Sequence, residues 1–445
     1  MNFLNQLLTK TAGKNTNHQN DVVNFLNNYD SDCQQWFVIE DSEQNFSKEV
    51  RKSVIDYINK FGLEKSSKTF DILPELKLAI SNYFVRCDIK CDSNNIVIRA
   101  NIFDLLQDLY NAVDFEDDEK ILFALPIPSY FVQQCHDNEI DVVCLNTNSE
   151  DDYKINFTNL KDNLKNHKIK ILFLNYPNST IGTIIDKADA IAIANILQNN
   201  KDLLVVIDES LREMVLDESM KLVSLASIDN IALQIITISS LKYYGLGNFD
   251  IAFACLRSKK IIAELFCQTI NISYANQQII IAALLNSGDN QRHLAEIAEQ
   301  CRQNFSLVSE EINIINQDLS QKFDKKNNFI KPLFDEIKVG NSMLLKFSGL
   351  RGAKDDVENK TIETDLDMAE FLKRETNIAM MPGQHCLLPA EEMVLGLYLL
   401  KPKQQLREGF KKIGKALIKL KMLSKNVSRT NLSKLKKDIN NIRGL

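Results

Sequence analysis

The sequence predicts an α/β protein of two lobes. A large domain holds a mostly parallel seven-stranded sheet between helices, and a smaller α+β domain is built from the C-terminal part and the N-terminal segment. Three observations lead there. Between about residues 75 and 255, short apolar runs alternate with helical patterns. The runs are nearly all-apolar rather than alternating, as expected of strands buried on both faces and covered by helices. Beyond residue 285 the texture changes to one long helical stretch followed by shorter mixed segments. A chain of 445 residues is also too long for one simple core.

The elements follow in order. PELKLAISNYFVR spaces Leu76, Leu78, Ile80 and Phe84 as an amphipathic helix. NNIVIRA is a short β-branched run, and NIFDLLQDLYNAV returns to helical spacing. The runs KILFALP, EIDVVCLN, KIKILFLN, DLLVVID, ALQIITIS and DIAFACL supply the remaining strands. NQRHLAEIAEQCRQNFSLVSEEINII reads as one helix bridging to the smaller lobe. That lobe holds the extended run SMLLKFSGL, a helix around DMAEFLKRE, a short strand NIAMMPG and the helix QQLREGFKKIGKALIKL. The expected division is 1–70 as N-terminal arm and part of the small domain, 71–285 as the large domain, 286–421 as interdomain helix and small domain, and 422–445 as a basic polar tail. The tail reads as a solvated terminal helix, with an anionic partner as the alternative.

Composition narrows the function. With 53 Lys and Arg against 59 Asp and Glu, the net charge of -6 argues against nucleic-acid binding as the main role. MNFLNQLLTKTAGKN lacks the pattern of a signal peptide, and no apolar stretch of about 20 residues appears. The nine cysteines are scattered; Cys87 and Cys91 are four apart, but no second pair completes a zinc site. A reduced, cytoplasmic chain is expected.

In a sheet of this kind, sites lie at the carboxyl ends of the strands. After KILFALP comes Tyr130. After KIKILFLN comes the turn Tyr176-Pro177-Asn178-Ser179-Thr180-Ile181-Gly182. DLLVVI ends at Asp208-Glu209, and ALQIITI at Ser239-Ser240-Leu241-Lys242. An aromatic, an amide and hydroxyl turn, a carboxylate and a lysine on one sheet edge suit one cofactor, pyridoxal 5'-phosphate. A lysine amine joins its aldehyde, a carboxylate keeps its pyridine nitrogen protonated, a flat side chain lies on its ring, and a helix N-terminus receives its phosphate.

The motifs YPNSTIG, VVIDES, SSLK with its glycine turn and NIAMMPG, with the closing helix LREGFKKIGKAL, occur in the order found in the class I/II aminotransferases, the fold-type I pyridoxal-phosphate enzymes. The chain resembles that family over roughly residues 45–420. By this resemblance Lys242 is the Schiff-base lysine, Asp208 pairs with the pyridine nitrogen, and Tyr130 stacks on the ring. Ser239 binds phosphate, and Ala100-Asn101-Ile102 open the helix whose amides hold it. Ser179 takes the place of the asparagine near the phenolate oxygen, with Asn178 adjacent. Asn101 stands at the loop's glycine and is able to adopt a left-handed backbone. The resemblance also implies a small-molecule amino donor and keto acceptor, and a homodimer in which TINISYANQQII (269–280) lies at the interface.

The departures bear on function. Eight residues past Lys242, where the family carries an arginine on the phosphate, stands Asp250. At ~6 Å and an effective dielectric of ~20 it would repel a dianion by about 5 kcal/mol. Arg99 and Arg257 are the replacement cations to look for, Arg99 first. Leu211 stands where the family often has a tyrosine. Leu395-Gly396-Leu397 lie where a substrate-carboxylate arginine is expected, with Lys346, Lys401 and Lys403 nearby in sequence. The expected function is therefore a pyridoxal-phosphate transferase acting on an amine or unusual amino acid through Lys242. The alternatives are a lyase or decarboxylase on the same scaffold, or a non-catalytic binding protein of this fold.

Overall fold

The computed structural model describes residues 33–36, 48–61, 72–148, 151–217, 220, 222–241, 251–266, 272, 274–285, 287–324 and 327–422. Lys242, the glycine turn after it, Asp250, part of the 269–280 segment and all of the tail beyond 422 lie outside them.

Seven strands form the main sheet: β1 (Ile96–Arg99), β2 (Lys120–Ala124), β3 (Asp141–Leu145), β4 (Ile169–Asn175), β5 (Leu204–Asp208), β6 (Ile235–Ser240) and β7 (Ala252–Leu256). Their spatial order is β1-β7-β6-β5-β4-β2-β3. The pairs among β2 to β6 are parallel, and β7 runs antiparallel to both β1 and β6. The seven apolar runs of the sequence are these seven strands. The reversal of β7 was not readable, because a run buried on both faces carries no mark of direction.

The helices of the described chain are α1 (Lys48–Phe61), α2 (Pro74–Arg86), α3 (Ile102–Ala112), α4 (Ser129–Asp137), α5 (Phe157–Asn166), α6 (Lys187–Gln198), α7 (Lys259–Phe266), α8 (Tyr274–Leu285), α9 (Ser287–Lys322), α10 (Asp365–Thr376) and α11 (Lys403–Leu417). Among the described residues no helix is long and apolar enough to cross a membrane. The strand side chains alternate between two cores. Ile98, Leu122, Leu172, Ile207, Ile235 and Phe253 pack with α2, α6 and α8. Val97, Phe123, Phe173, Val206, Ile238 and Ala254 pack with α3, α4 and α7. Filling both faces hides the sheet except at its ends, and only there can polar side chains reach a ligand.

The smaller lobe has its own core, with strands β8 (Ser342–Lys346) and β9 (Val394–Tyr398) against α9, α10 and α11. NIAMMPG is not one strand. Ile378–Ala379 pairs with Gln34–Gln35, and Met381–Pro382 pairs with β9. The segment changes partners at Met380, and that brings the N-terminal segment into the small lobe. Trp36 is fully buried there beside Phe410, with ring centroids 5.2 Å apart. The helix gives way to it at Gly409, where a Cβ would fall 2.1 Å from the indole.

Candidate active site

The site is built where β4, β5 and β6 end side by side. Asn175 closes β4 and Asp208 closes β5, and the parallel register sets them opposite one another. Each follows an apolar run whose alternation sends it to the α3 and α4 side of the sheet. Asp208 is buried and acceptor-only. Its Oδ2 accepts from Asn175 Nδ2 at 3.0 Å, and its Oδ1 accepts from the Ser210 backbone N–H at 3.0 Å and the Ser210 hydroxyl at 2.6 Å. Asn175 in turn uses its Oδ1 to accept the N–H and the hydroxyl of Ser179, both at 2.8 Å. Ser179, Asn175, Asp208 and Ser210 are thus one hydrogen-bonded row along the sheet edge. Neighbouring Glu209 belongs to a different set, paired with Arg212 at 3.0 Å and bonded by Ser224 at 2.7 Å.

Asn178 does not join the row. Its Oδ1 accepts from the N–H groups of Thr180 and Ile181, and its Nδ2 donates to the Pro126 carbonyl at 2.8 Å. It shapes the turn from inside. The turn closes at Gly182, with φ +72, where a Cβ would sit 2.7 Å from the Val339 carbonyl oxygen. Only glycine both adopts that backbone and allows the approach of the small lobe.

Tyr130 starts α4 above this row. The residue is 37% exposed, yet burial first and then the Asp208 charge push its phenol well above the usual range. These observations agree if the ring stands in a concavity with one side open. Phe131 and Phe103 contact it at centroid distances of 4.5 and 5.0 Å. Two small-lobe residues complete the surroundings. Cys386, whose thiol burial pushes up to about 11 while a Thr180 hydrogen bond opposes the rise, lies near Tyr130. So does Tyr398, pushed up to about 12 by burial and then by Cys386. The turn carrying Cys386 is tied to the large lobe by the Ile127 N–H, which donates to the Cys386 carbonyl at 3.1 Å. Its other anchor is Asp365, buried at the start of α10, which accepts from the Gln384 backbone N–H at 2.8 Å and from the Gln384 side chain.

The other end of the site is different. Ala100, Asn101 and Ile102 do lead into α3, next to Tyr130 through Phe103. The left-handed backbone open to Asn101 is not used. Its φ is -154, which is extended, and its side chain is an N-cap that accepts from the Asp104 N–H at 2.8 Å. Ser239 sits on the opposite face of β6 from Asp208, and its hydroxyl shares a 2.9 Å hydrogen bond with the buried Tyr83 hydroxyl. Its neighbour Ser240 has the same facing as Ala252 and Ile238, on the Asp208 side.

The cations named from sequence are placed as follows. Arg99 is buried, pairs with Asp108 of α3 and donates to the carbonyls of Ile98 and Leu265 at 2.8 Å each. Arg257 donates to the Lys90 carbonyl and lies 3.8 Å from Asp229. Lys346 pairs with Glu392 at 2.9 Å, and Lys403 donates to Gln303. Lys401 is fully buried. Leu211 packs at the seam between the lobes with Met214 and Val339.

Sequence reasoning missed Asn175, Ser210, Cys386 and Tyr398. Asn175 carried a signal, as an amide at the end of an otherwise apolar run. Ser210 carried one too, in the Asp-x-Ser spacing that lets a hydroxyl fold back on its carboxylate. Cys386 and Tyr398 carried none, because they reach the site only through the docking of the lobes.

The model of the family described as aminotransferase class I and II matches residues 38–391. A histidinol-phosphate aminotransferase of Methanocaldococcus jannaschii is 22% identical over 216 residues, covering 48% of this chain; the chain spans about half of that relative, 53%. An aspartate aminotransferase from Rhizobium meliloti superposes with a TM-score of 0.75 at 17% identity, over 87% of this chain and 92% of its own. An aromatic aminotransferase from Pyrococcus horikoshii gives 0.71 at 18%, over 89% and 98%. A PLP-bound C-S lyase from Staphylococcus hominis gives 0.68 at 16%, over 84% and 90%.

Proposed function

The chain belongs to the class I and II aminotransferases, and from that premise we propose that it moves an amino group from an amine or unusual amino acid to a keto acceptor, using Lys242 and a pyridoxal cofactor. The observation that carries this reading is the row Ser179–Asn175–Asp208–Ser210, which fixes one carboxylate at the sheet edge beside Tyr130. When bound, the cofactor draws electrons from the carbon that bears the substrate amine.

The residues present fit one half of pyridoxal phosphate. At the ring end, Asp208 is a buried acceptor suited to a protonated ring nitrogen, and Tyr130 offers an aromatic wall. Asn175 and Ser210 keep the Asp208 carboxylate in one orientation, so a ring is met by a preset acceptor. At the phosphate end the fit fails among the described residues, because Asn101, Arg99 and Ser239 are each engaged by another part of the fold, Asp104, Asp108 and Tyr83. That failure favours a second reading, a binding protein of this fold that no longer catalyses.

From the small lobe a thiol and a phenol, Cys386 and Tyr398, lie near Tyr130, and Gly396 shares the Tyr398 face of its strand, whereas Leu395 and Leu397 point into the small-lobe core. A carboxylate buried against such groups without a bidentate cation is costly. This supports an amine, or an amino acid whose carboxylate lies elsewhere. The proposal includes the division 1–70, 71–285, 286–421 and 422–445, a cytoplasmic homodimer, and the 269–280 segment at its interface.

The test follows amino transfer across a panel of amines and keto acids, together with the near-ultraviolet and visible absorption of the full chain mixed with the cofactor. Wild type should show a cofactor band that Lys242→Ala abolishes. Asp208→Ala should lower turnover by about a thousandfold or more. Turnover unchanged in Asp208→Ala would remove the role given to that carboxylate, and no turnover with any pair would favour the second reading.

A further inference from the structure

Resting on the reading of this cleft as a pyridoxal site, we infer that it takes a pyridoxal-type aldehyde without a phosphate about as well as the phosphorylated form. The chemistry of the phosphate end leads there.

A ring beside Asp208 and Tyr130 has the start of α3 as its neighbour, since Phe103 touches the Tyr130 ring. A helix start receives an anion through the N–H groups of its first turn and the positive end of its dipole. In α3 that capacity is already spent in part. Asn101 closes on Asp104 twice, accepting the Asp104 N–H at 2.8 Å and donating to the Asp104 carboxylate at 3.0 Å. An arriving phosphate must displace the Asn101 oxygen and settle beside the Asp104 charge. It loses one amide and meets a like charge, and only the Ile102 and Phe103 amides of that turn stay outside the cap.

Among the described residues the compensation in reach is small: Ser240 at the end of β6 faces the Asp208 side, but the cation and the other hydroxyl are turned elsewhere. The guanidinium of Arg99, last residue of β1, is turned to Asp108 and to two backbone carbonyls. The Ser239 hydroxyl is on the far face of β6, bonded to Tyr83. The ring end contributes equally to both forms of the aldehyde. A phosphate therefore adds little to binding here. Asp104 is exposed, so water screens its charge, and the expected penalty is moderate rather than prohibitive.

The experiment measures dissociation constants of pyridoxal and pyridoxal 5'-phosphate by equilibrium dialysis with the full-length protein. The same titrations are repeated with Asp104→Asn and Asn101→Gly. Wild type should hold the two ligands within about tenfold of each other. Asp104→Asn, nearly isosteric, should tighten only the phosphorylated ligand, by about tenfold. Asn101→Gly, which frees the Asp104 amide, should act in the same direction. If wild type prefers the phosphorylated form by about a hundredfold or more, the inference is overturned while the pyridoxal reading stands. If Asp104→Asn shifts both ligands alike, the inference is likewise overturned. If neither ligand binds, both fall.

Discussion

At the ring end of the cleft, hydrogen bonds converge on one carboxylate; at the phosphate end, Asn101, Arg99 and Ser239 are each bonded into the fold instead. The two ends are built from the same sheet edge and the same kinds of residue. The difference lies in where the partners come from. Asn175 and Ser210 lie beside Asp208, on the next strand and two residues along, and hold its carboxylate in one orientation at the sheet edge. Arg99 and Asn101 find their partners inward or along their own helix, and so act as parts of the fold. A polar residue at a sheet edge is thus not by itself a site residue. It becomes one when its partners fix its orientation at the edge beside the cleft.

The largest effect expected concerns the turn that roofs the ring end. Burial raises the Asp365 carboxyl to about 7, against the opposing pull of the Gln384 hydrogen bonds. Its value in the unfolded chain is near 3.8. The folded protein therefore holds a proton that the unfolded chain releases between about pH 4 and 7. Stability is highest at the acid side of that window and falls as pH rises through it, by about 4 kcal/mol for a shift of this size. Denaturant midpoints at pH 4.5 and 7.5, compared with Asp365→Asn, should show wild type losing about 3 kcal/mol more, the part of the effect that falls between those two pH values. Parallel pH profiles would leave the turn at Cys386 without this anchor.

Arg99→Met sharpens the contrast from the other side. It keeps the aliphatic volume but strands Asp108 and two carbonyls, at a cost of about 3 kcal/mol. The affinity for either pyridoxal ligand should change by less than about threefold. A selective loss of the phosphorylated ligand would instead restore Arg99 as its cation, the role that the sequence suggested first.

That reversal shows what was legible in the sequence. The seven strands were, because an all-apolar run ended by a turn has few other readings. Asp208 and Tyr130 were recognisable as edge residues for the same reason. What escaped depends on long-range geometry. Arg99 is turned inward by a carbonyl of α7, at Leu265, far along the chain. Ser239 and Ser240 are neighbours in sequence, yet strand alternation sends them to opposite faces, and only the pairing with β7 tells which is which. Asn175 gains its position from the register between β4 and β5, which no residue type announces.

Asn175 also supplies the smallest and most discriminating of these tests. Asn175→Ala leaves Asp208 with Ser210 alone among the row's donors, and frees the Ser179 hydroxyl. The stability cost should be about 1–2 kcal/mol, because Ser179 and Asp208 border the open cleft and water can replace the lost bonds. Binding should suffer in a specific way. With its orientation loosened, the carboxylate must be ordered by the ligand itself, and affinity for pyridoxal and its phosphate should fall together by about tenfold. The same substitution has no route to the α3 start, so the ratio of the two affinities should stay at its wild-type value. A change in that ratio would mean that the two ends are coupled. The separation drawn between a ring end made for a ligand and a phosphate end closed on itself would then have to be given up.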